Sequence, residues 1–201
     1  MEIRRITVGL YQTNCYLLVN DGEIVIIDPG SSWRKIEKAI EQYDQAKVIA
    51  IILTHGHFDH IGAVDDLVRV YRCPVYGCQD DEKMMRNEKY NSLDGLSATV
   101  SCDVNWLTEK QLKVGSFEFE IIYSPGHTNG SIMLLIDDCL FSGDTLFYLS
   151  VGRTDLYSGS SYKLSQSLQQ LKTLDPKTVV YPGHGELTTV GFELRNNPYI
   201  I

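Results

Sequence analysis

The chain has 201 residues, of which 43% are hydrophobic and 22% charged, and carries a formal net charge of −8 at neutral pH. Those fractions are ordinary for a globular protein, and no apolar run approaches the ~20 residues that cross a bilayer, so a membrane-spanning helix is excluded. An acidic balance without a basic block offers phosphate backbones little to bind by counterion release, so nucleic acid is not an expected partner.

Such a length suits one domain over residues 1–201. Polar residues Thr7, Gln12, Thr13 and Asn14 interrupt the apolar positions after Arg4 and Arg5, and no small-residue cleavage site follows, which argues against a signal peptide and for the cytoplasm. Cys15, Cys73, Cys78, Cys102 and Cys139 are odd in number, without a C-x-x-C pair, and are expected to be reduced thiols serving as small apolar side chains.

From the N-terminus, strands are expected at 3–8, 15–19 and 24–28, with a turn at Asn20-Asp21-Gly22 between the last two. Ser31 or Ser32 is placed to cap a helix whose Ile36, Ala39, Ile40 and Tyr43 share one face. Residues 48–53 form a continuous apolar run, as in a strand covered on both faces, and deliver the chain to Thr54-His55. The apolar spacing of Ile61, Val64, Leu67, Val68 and Tyr71 predicts a helix starting near Asp59, a position where a carboxylate is favoured by the helix N-terminus. A polar helix is expected at 79–89 and a loop at 91–101, at the mouth of any site. Strands are then expected at 117–123, 131–137 and 139–141, a helix at 161–174, and a short strand at 178–181. Strand and helix signals alternate without repeats or linkers, which predicts an α/β fold.

The most informative pattern is the placement of histidine. All five lie in short motifs: His55, His57 and His60 in Thr54-His55-Gly56-His57-Phe58-Asp59-His60, His127 in Pro125-Gly126-His127-Thr128, and His184 in Pro182-Gly183-His184-Gly185. Packing gives no reason to gather three imidazoles and a carboxylate within six residues. With Asp59, and with Asp144 in Gly143-Asp144, these groups form an N/O ligand set preferred by Zn²⁺ and shared by Mn²⁺, Fe²⁺ and Co²⁺, large enough for two ions. His55 and His57, two residues apart in an extended loop, reach the same side. Asp59 and His60 aim at a second point nearby, and a carboxylate such as Asp144 bridges ions about 3.5–4 Å apart.

In this order the motifs resemble those of the metallo-β-lactamase superfamily, and within it the short glyoxalase II-like (hydroxyacylglutathione hydrolase-like) branch. The resemblance runs from about Asn14 to Pro198. It implies a four-layer αβ/βα sandwich of two mixed sheets flanked by helices, with the metals held by loops at one edge. It further implies that His55, His57 and His127 hold the first metal, Asp59, His60 and His184 the second, and that Asp144 is shared. The Asp28-Pro29-Gly30 turn matches the family's first motif, either as a plain turn or as a support for the metal loop. Asp144 stands where the commonest true β-lactamases carry cysteine, so antibiotic hydrolysis is not the expectation. Full-length glyoxalase II carries a helical C-terminal glutathione-binding domain, which this sequence, ending at Ile201, is expected to lack.

The activity implied is hydrolysis of a small thioester, such as a hydroxyacyl-glutathione, by a hydroxide bridging the two metals, with Asp59 and Asp144 as catalytic carboxylates. Arg153, in Gly152-Arg153-Thr154-Asp155, is a candidate for pairing with a substrate carboxylate, the alternative being an ordinary solvated or salt-bridged arginine. A lactonase would use the same chemistry. A mononuclear iron dioxygenase acting on a persulfide, using His55, His127 and Asp144, is the reading from a different class. Oligomeric state is not legible.

Overall fold

The computed structural model describes residues 1–200. Two six-stranded sheets lie face to face. In spatial order the first comprises Glu2–Val8, Thr13–Asn20, Glu23–Ile27, Lys47–Ile52, Val75–Gly77 and Asn105–Trp106. The second comprises Thr188–Thr189, Val179–Pro182, Cys139–Gly143, Ile132–Ile136, Phe117–Tyr123 and Gln111–Val114. Both sheets are mixed: hairpins give the antiparallel pairs, whereas Glu23–Ile27 with Lys47–Ile52 and Cys139–Gly143 with Val179–Pro182 run parallel. The parallel pairs require crossovers, supplied by the helices Trp33–Ile40 and Ser161–Gln169.

Side-chain alternation with a period of two sorts the core into layers. Leu18, Val25, Ile27, Ala50 and Ile52 face inward and meet Phe117, Phe119, Ile121, Ile132, Leu134 and Phe141 of the other sheet. On the opposite face of the first sheet, Leu17, Ile24, Ile26 and Ile51 pack against Ile36, Ala39 and Ile40 of one helix and Val64 and Leu67 of Val64–Tyr71. Behind the second sheet, Met133, Leu140 and Val180 cover Leu164 and Leu168, together with Val190 of the helix Val190–Asn196. This is the expected αβ/βα sandwich.

Three local expectations need correction. Ser32 precedes the first helix in a left-handed conformation (φ 55°) and makes no side-chain cap. The helix expected from Asp59 to Tyr71 is two pieces, Phe58–Ile61 and Val64–Tyr71, because the Ala63 N–H bonds to Pro29 O at 2.9 Å instead of continuing the helix. Gly30 and Gly62 permit that approach: a Cβ on Gly30 would lie 1.6 Å from Asp59 O, and one on Gly62 2.5 Å from Gly30 O. The polar helix expected at 79–89 is broken into short turns at Gln79–Asp81, Glu82–Met85 and Glu88–Tyr90. The C-terminal helix Val190–Asn196, started by the Thr189 hydroxyl accepting the Phe192 N–H, was not foreseen from periodicity. All five cysteines are free, and no helix of the described residues is long and apolar enough to cross a membrane.

Candidate metal centre

The histidine motifs converge where strands of both sheets end. Lys47–Ile52 leads into His55 and His57, Phe117–Tyr123 into His127, Cys139–Gly143 into Asp144, and Val179–Pro182 into His184. His60 is carried by the single helical turn Phe58–Ile61. Sheet pairing aligns three of these ends. Cys139–Gly143 is hydrogen-bonded to Val179–Pro182, the Gly183 N–H reaches Gly143 O at 2.9 Å, and the Ile132 N–H reaches Thr54 O at 2.8 Å. Gly183 can only be glycine in this arrangement, since a Cβ there would meet Asp144 Oδ1 at 2.2 Å.

The hydrogen bonds determine which ring nitrogen each histidine turns inward. A carbonyl or carboxylate oxygen only accepts, so a ring nitrogen bonded to one must carry the proton. His60 Nδ1 donates to Asp28 Oδ2 at 2.9 Å, His127 Nδ1 to Arg153 O at 2.7 Å, and His184 Nδ1 to Tyr11 O at 3.0 Å. Thr54 spends its hydroxyl proton on Asp28 Oδ2 at 2.5 Å, so it accepts from His55 Nδ1 at 3.1 Å. In the neutral state the Nε2 lone pairs of His55, His60, His127 and His184 therefore all face the interior. His57 is reversed, its Nδ1 lying 2.8 Å from His127 Nε2.

These inward atoms crowd together around the carboxylates. Asp144 Oδ1 is 3.3 Å from His60 Nε2, and its Oδ2 is 3.4 Å from His127 Nε2 and 3.5 Å from His184 Nε2. Asp59 Oδ2 is 3.3 Å from His184 Nε2 and 3.7 Å from His60 Nε2, and it accepts the Thr13 hydroxyl at 3.0 Å. His55 Nε2, His57 Nε2 and Asp144 Oδ1 are buried without a hydrogen-bond partner, which is costly unless something else satisfies them. His55, His57 and His127 present ligand atoms within 4.8 Å of one another, as do Asp59, His60 and His184. Asp28, His55 and His60 also meet that spacing, but the Asp28 oxygens are taken by the Thr54 N–H, the Thr54 hydroxyl and His60. Asp28 is thus the support beneath the site rather than a plain turn residue.

The protonation equilibria divide the cluster. Burial pulls His55 well below the ordinary imidazole value and His57 down to about 3. Burial acts the same way on His60 and His184, but nearby carboxylates, Asp144 foremost, outweigh it. His60 is held well above the usual value, and His184 is raised to about 9. Conversely, burial would raise Asp144, yet His184 and His60 hold it well below the usual carboxylate range. Without ions, His55 and His57 stay neutral while His60 and His184 gather protons around the carboxylates. Divalent ions would replace those protons, since ligand imidazoles must be neutral.

Above the cluster lies a pocket of about 310 Å³. His57, Asp59, His127, Asp144 and His184 form its polar floor, and Tyr11, Phe58, Leu93, Phe147 and Leu156 its walls. Leu93 brings the 91–101 segment to the pocket, where the expected loop is in part a small hairpin, Ser92–Leu93 paired with Leu96–Ser97. The Tyr11 hydroxyl donates to Asp94 of the same segment at 2.8 Å. Tyr11 opens a stretch, residues 11–16, that resembles the short glyoxalase II-like branch, whereas the wall positions of Phe147 and Leu156 carried no signal in the sequence. Arg153 also lines the pocket, but its guanidinium makes a bidentate pair with Asp155 at 2.7 and 2.8 Å.

A hydrolase-type metal centre built from loops at the edge of an αβ/βα sandwich is the class these features define. Residues 8–184 match the family model described as the metallo-β-lactamase superfamily, and the chain belongs to that superfamily. It is 36% identical to a probable metallo-hydrolase, YqgX, of Bacillus subtilis, over all of this chain and 98% of the relative. It is 32% identical to the hydroxyacylglutathione hydrolase GloC of Haemophilus influenzae, over all of this chain and 98% of that protein. Among solved structures it resembles the BLEG-1 B3 metallo-β-lactamase, with a TM-score of 0.93, 37% identity, and 99% of each chain covered. A protein crystallised in a di-iron-bound form superposes with a TM-score of 0.88 at 36% identity, covering 98% of this chain and 99% of that one. ETHE1 from Myxococcus xanthus follows at 0.78 and 28%, covering 98% and 84%.

Proposed function

We propose that the chain is a binuclear metal-dependent thioester hydrolase of the hydroxyacyl-glutathione type. The observation that carries this reading is the convergence of four Nε2 lone pairs, the His57 Nδ1 edge and two carboxylates in one cluster, of which His57, Asp59, His127, Asp144 and His184 floor a pocket with largely apolar walls. In this proposal His55, His57 and His127 hold the first ion and Asp59, His60 and His184 the second. Asp144 serves both, its two oxygens facing different histidines. Zinc suits the donor set, and iron or manganese share it. Ions so held would supply a nucleophilic hydroxide near neutrality, by lowering the pKa of water from about 16 to roughly 7, and a Lewis acid for the substrate carbonyl.

The protein's own groups do the rest. Asp59 orients the nucleophile, its carboxylate steadied by Thr13. Phe58, Leu93, Phe147 and Leu156 exclude water from the acyl group and hold it against the floor. A thiolate leaves without needing a strong general acid, and the pocket wall offers none beyond the Tyr11 hydroxyl, which is engaged with Asp94. Arg153 reaches a substrate carboxylate only by giving up Asp155, so it is a weaker anchor than its position suggests.

The likeness to ETHE1 favours a second reading, a mononuclear iron dioxygenase at His55, His127 and Asp144. Against it, Asp59, His60 and His184 gather as closely as the first trio, an arrangement a single iron would leave idle. The resemblance to a B3 metallo-β-lactamase also removes the force of excluding lactams because Asp144 is not cysteine. Metal analysis of the purified protein, followed by assays of thioester cleavage, β-lactam cleavage and oxygen uptake with a persulfide, tests all three. Two ions with thioester cleavage support the proposal. One iron with oxygen uptake, or lactam turnover without thioester turnover, overturns it.

A further inference from the structure

The segment that breaks the expected polar helix carries a buried carboxylate outside the ligand set. Asp81 is 1% exposed, and its hydrogen-bond partners are all neutral. Its Oδ2 accepts the Gly56 N–H at 2.9 Å and the Thr128 hydroxyl at 2.7 Å, while its Oδ1 accepts the Gly130 N–H at 2.9 Å. Gly56 lies between His55 and His57, and Thr128 directly follows His127. One side chain therefore clamps together the two loops that carry the first histidine trio. The fit is close on both sides, and at Gly130 it leaves no room for a side chain. A Cβ on Gly130 would stand 2.6 Å from Asp81 Cγ, and one on Gly56 3.0 Å from Asp81 Cβ. Two residues past the same broken helix, Asn91 adds a parallel strut, accepting the Phe58 N–H at 2.7 Å and donating to Gly56 O at 2.8 Å.

Burying a carboxylate with no cationic partner costs several kcal/mol, and burial does push Asp81 above its usual range. Only a doubly accepting group can receive these three donors, since an amide offers a single oxygen. We propose that Asp81 is a positioning residue for the first metal position, setting the separation of the 54–57 and 127–130 loops so that His55, His57 and His127 converge. This rests on the reading of that trio as metal ligands. Asp81 touches none of the three imidazoles and acts through the backbone at Gly56 and the hydroxyl at Thr128.

The test uses the zinc-loaded protein and three variants, Thr128→Val, Thr128→Ser and Asp81→Asn. Zinc affinity is measured by competition with a chromophoric chelator, occupancy at each position by anomalous diffraction, and the melting temperature of each metal-free form by calorimetry. Thr128→Val removes one donor with little change of shape, and with Asp81→Asn it should weaken the first position about tenfold to a hundredfold. The second position should stay occupied, and Thr128→Ser should behave as wild type. Equal loss at both positions in proportion to a falling melting temperature would assign Asp81 a purely structural role and overturn the proposal, as would no loss at all. Should Asp81→Asn fail to fold, the Thr128 pair decides. Wild-type protein that binds no zinc at the trio would instead refute the metal reading beneath it.

Discussion

Asp28 is the point where the first sheet supports the segment that carries His55, His57 and His60, so Asp28→Asn is the most revealing single change. The carboxylate receives the Thr54 N–H at 2.8 Å, the Thr54 hydroxyl at 2.5 Å and His60 Nδ1 at 2.9 Å, and both Asp28 and His60 are almost wholly buried. An amide cannot satisfy all three. If its oxygen faces the Thr54 N–H, its NH₂ confronts His60 Nδ1–H, and the ring escapes the clash only by giving up the Nδ1 proton and holding its one remaining proton on Nε2, which spends the inward lone pair. If the amide is flipped, the Thr54 N–H is left facing another donor. Either way one buried donor loses its partner, a cost of about 1–3 kcal/mol. At roughly 2–4 °C per kcal/mol for a domain of this size, the metal-free protein should melt several degrees lower. Loss of the His60 support should also cost about tenfold to a hundredfold in metal affinity, and at the second position in particular. Calorimetry of the metal-free protein and chelator competition with the loaded one measure the two effects separately. Wild-type melting together with wild-type affinity would refute the hydrogen-bond argument for Asp28 and, with it, the assignment of the His60 tautomer.

His60→Ala should empty the second metal position and leave the first occupied, because His55, His57, His127 and Asp144 remain; anomalous signal at full strength from both positions would contradict the partition. Asp144→Ala should weaken both ions together, and two tightly held ions in that variant would show that Asp144 is not shared. In metal-free protein the raised His184 contributes stability that is complete below about pH 6.5 and is lost as pH rises through about 9. The depressed His57 contributes stability present above about 6.5 and lost as pH falls toward about 3. The chelated protein should therefore melt highest near pH 6–7 and lower on either side, and a profile flat from pH 4 to 9 would show that these imidazoles are not buried as described. Asp155→Asn should free Arg153 and raise kcat/KM for a carboxylate-bearing thioester over a neutral one by a few-fold, the scale of an exposed ion pair worth at most about 1 kcal/mol; an unchanged ratio would place the substrate's anionic arm elsewhere.

The sequence by itself determined the layers and singled out the candidate ligands, because both are written in local patterns. His55-Gly56-His57-Phe58-Asp59-His60 has no packing rationale, and the β-type apolar run before it reads as a strand covered on both faces. What remained open were the features created by contacts between distant segments. Thr54 is an ordinary residue, and Asp28 a turn that could equally be a support, until the first two parallel strands bring the two within 3 Å of each other and Asp28 within 3 Å of His60. Ala63 belongs to a helical pattern, but its N–H is claimed by Pro29, and the helix breaks there. Asp81 sits in a stretch whose polarity reads as a solvated helix, and tertiary structure turns its carboxylate inward to bind loops 25 and 47 residues away. Arg153 could be recognised as a candidate, yet only the fold shows Asp155 already holding it. Periodicity reports which face of an element is buried, whereas hydrogen-bond partners far apart in the chain are decided by how the sheets bring their loops together.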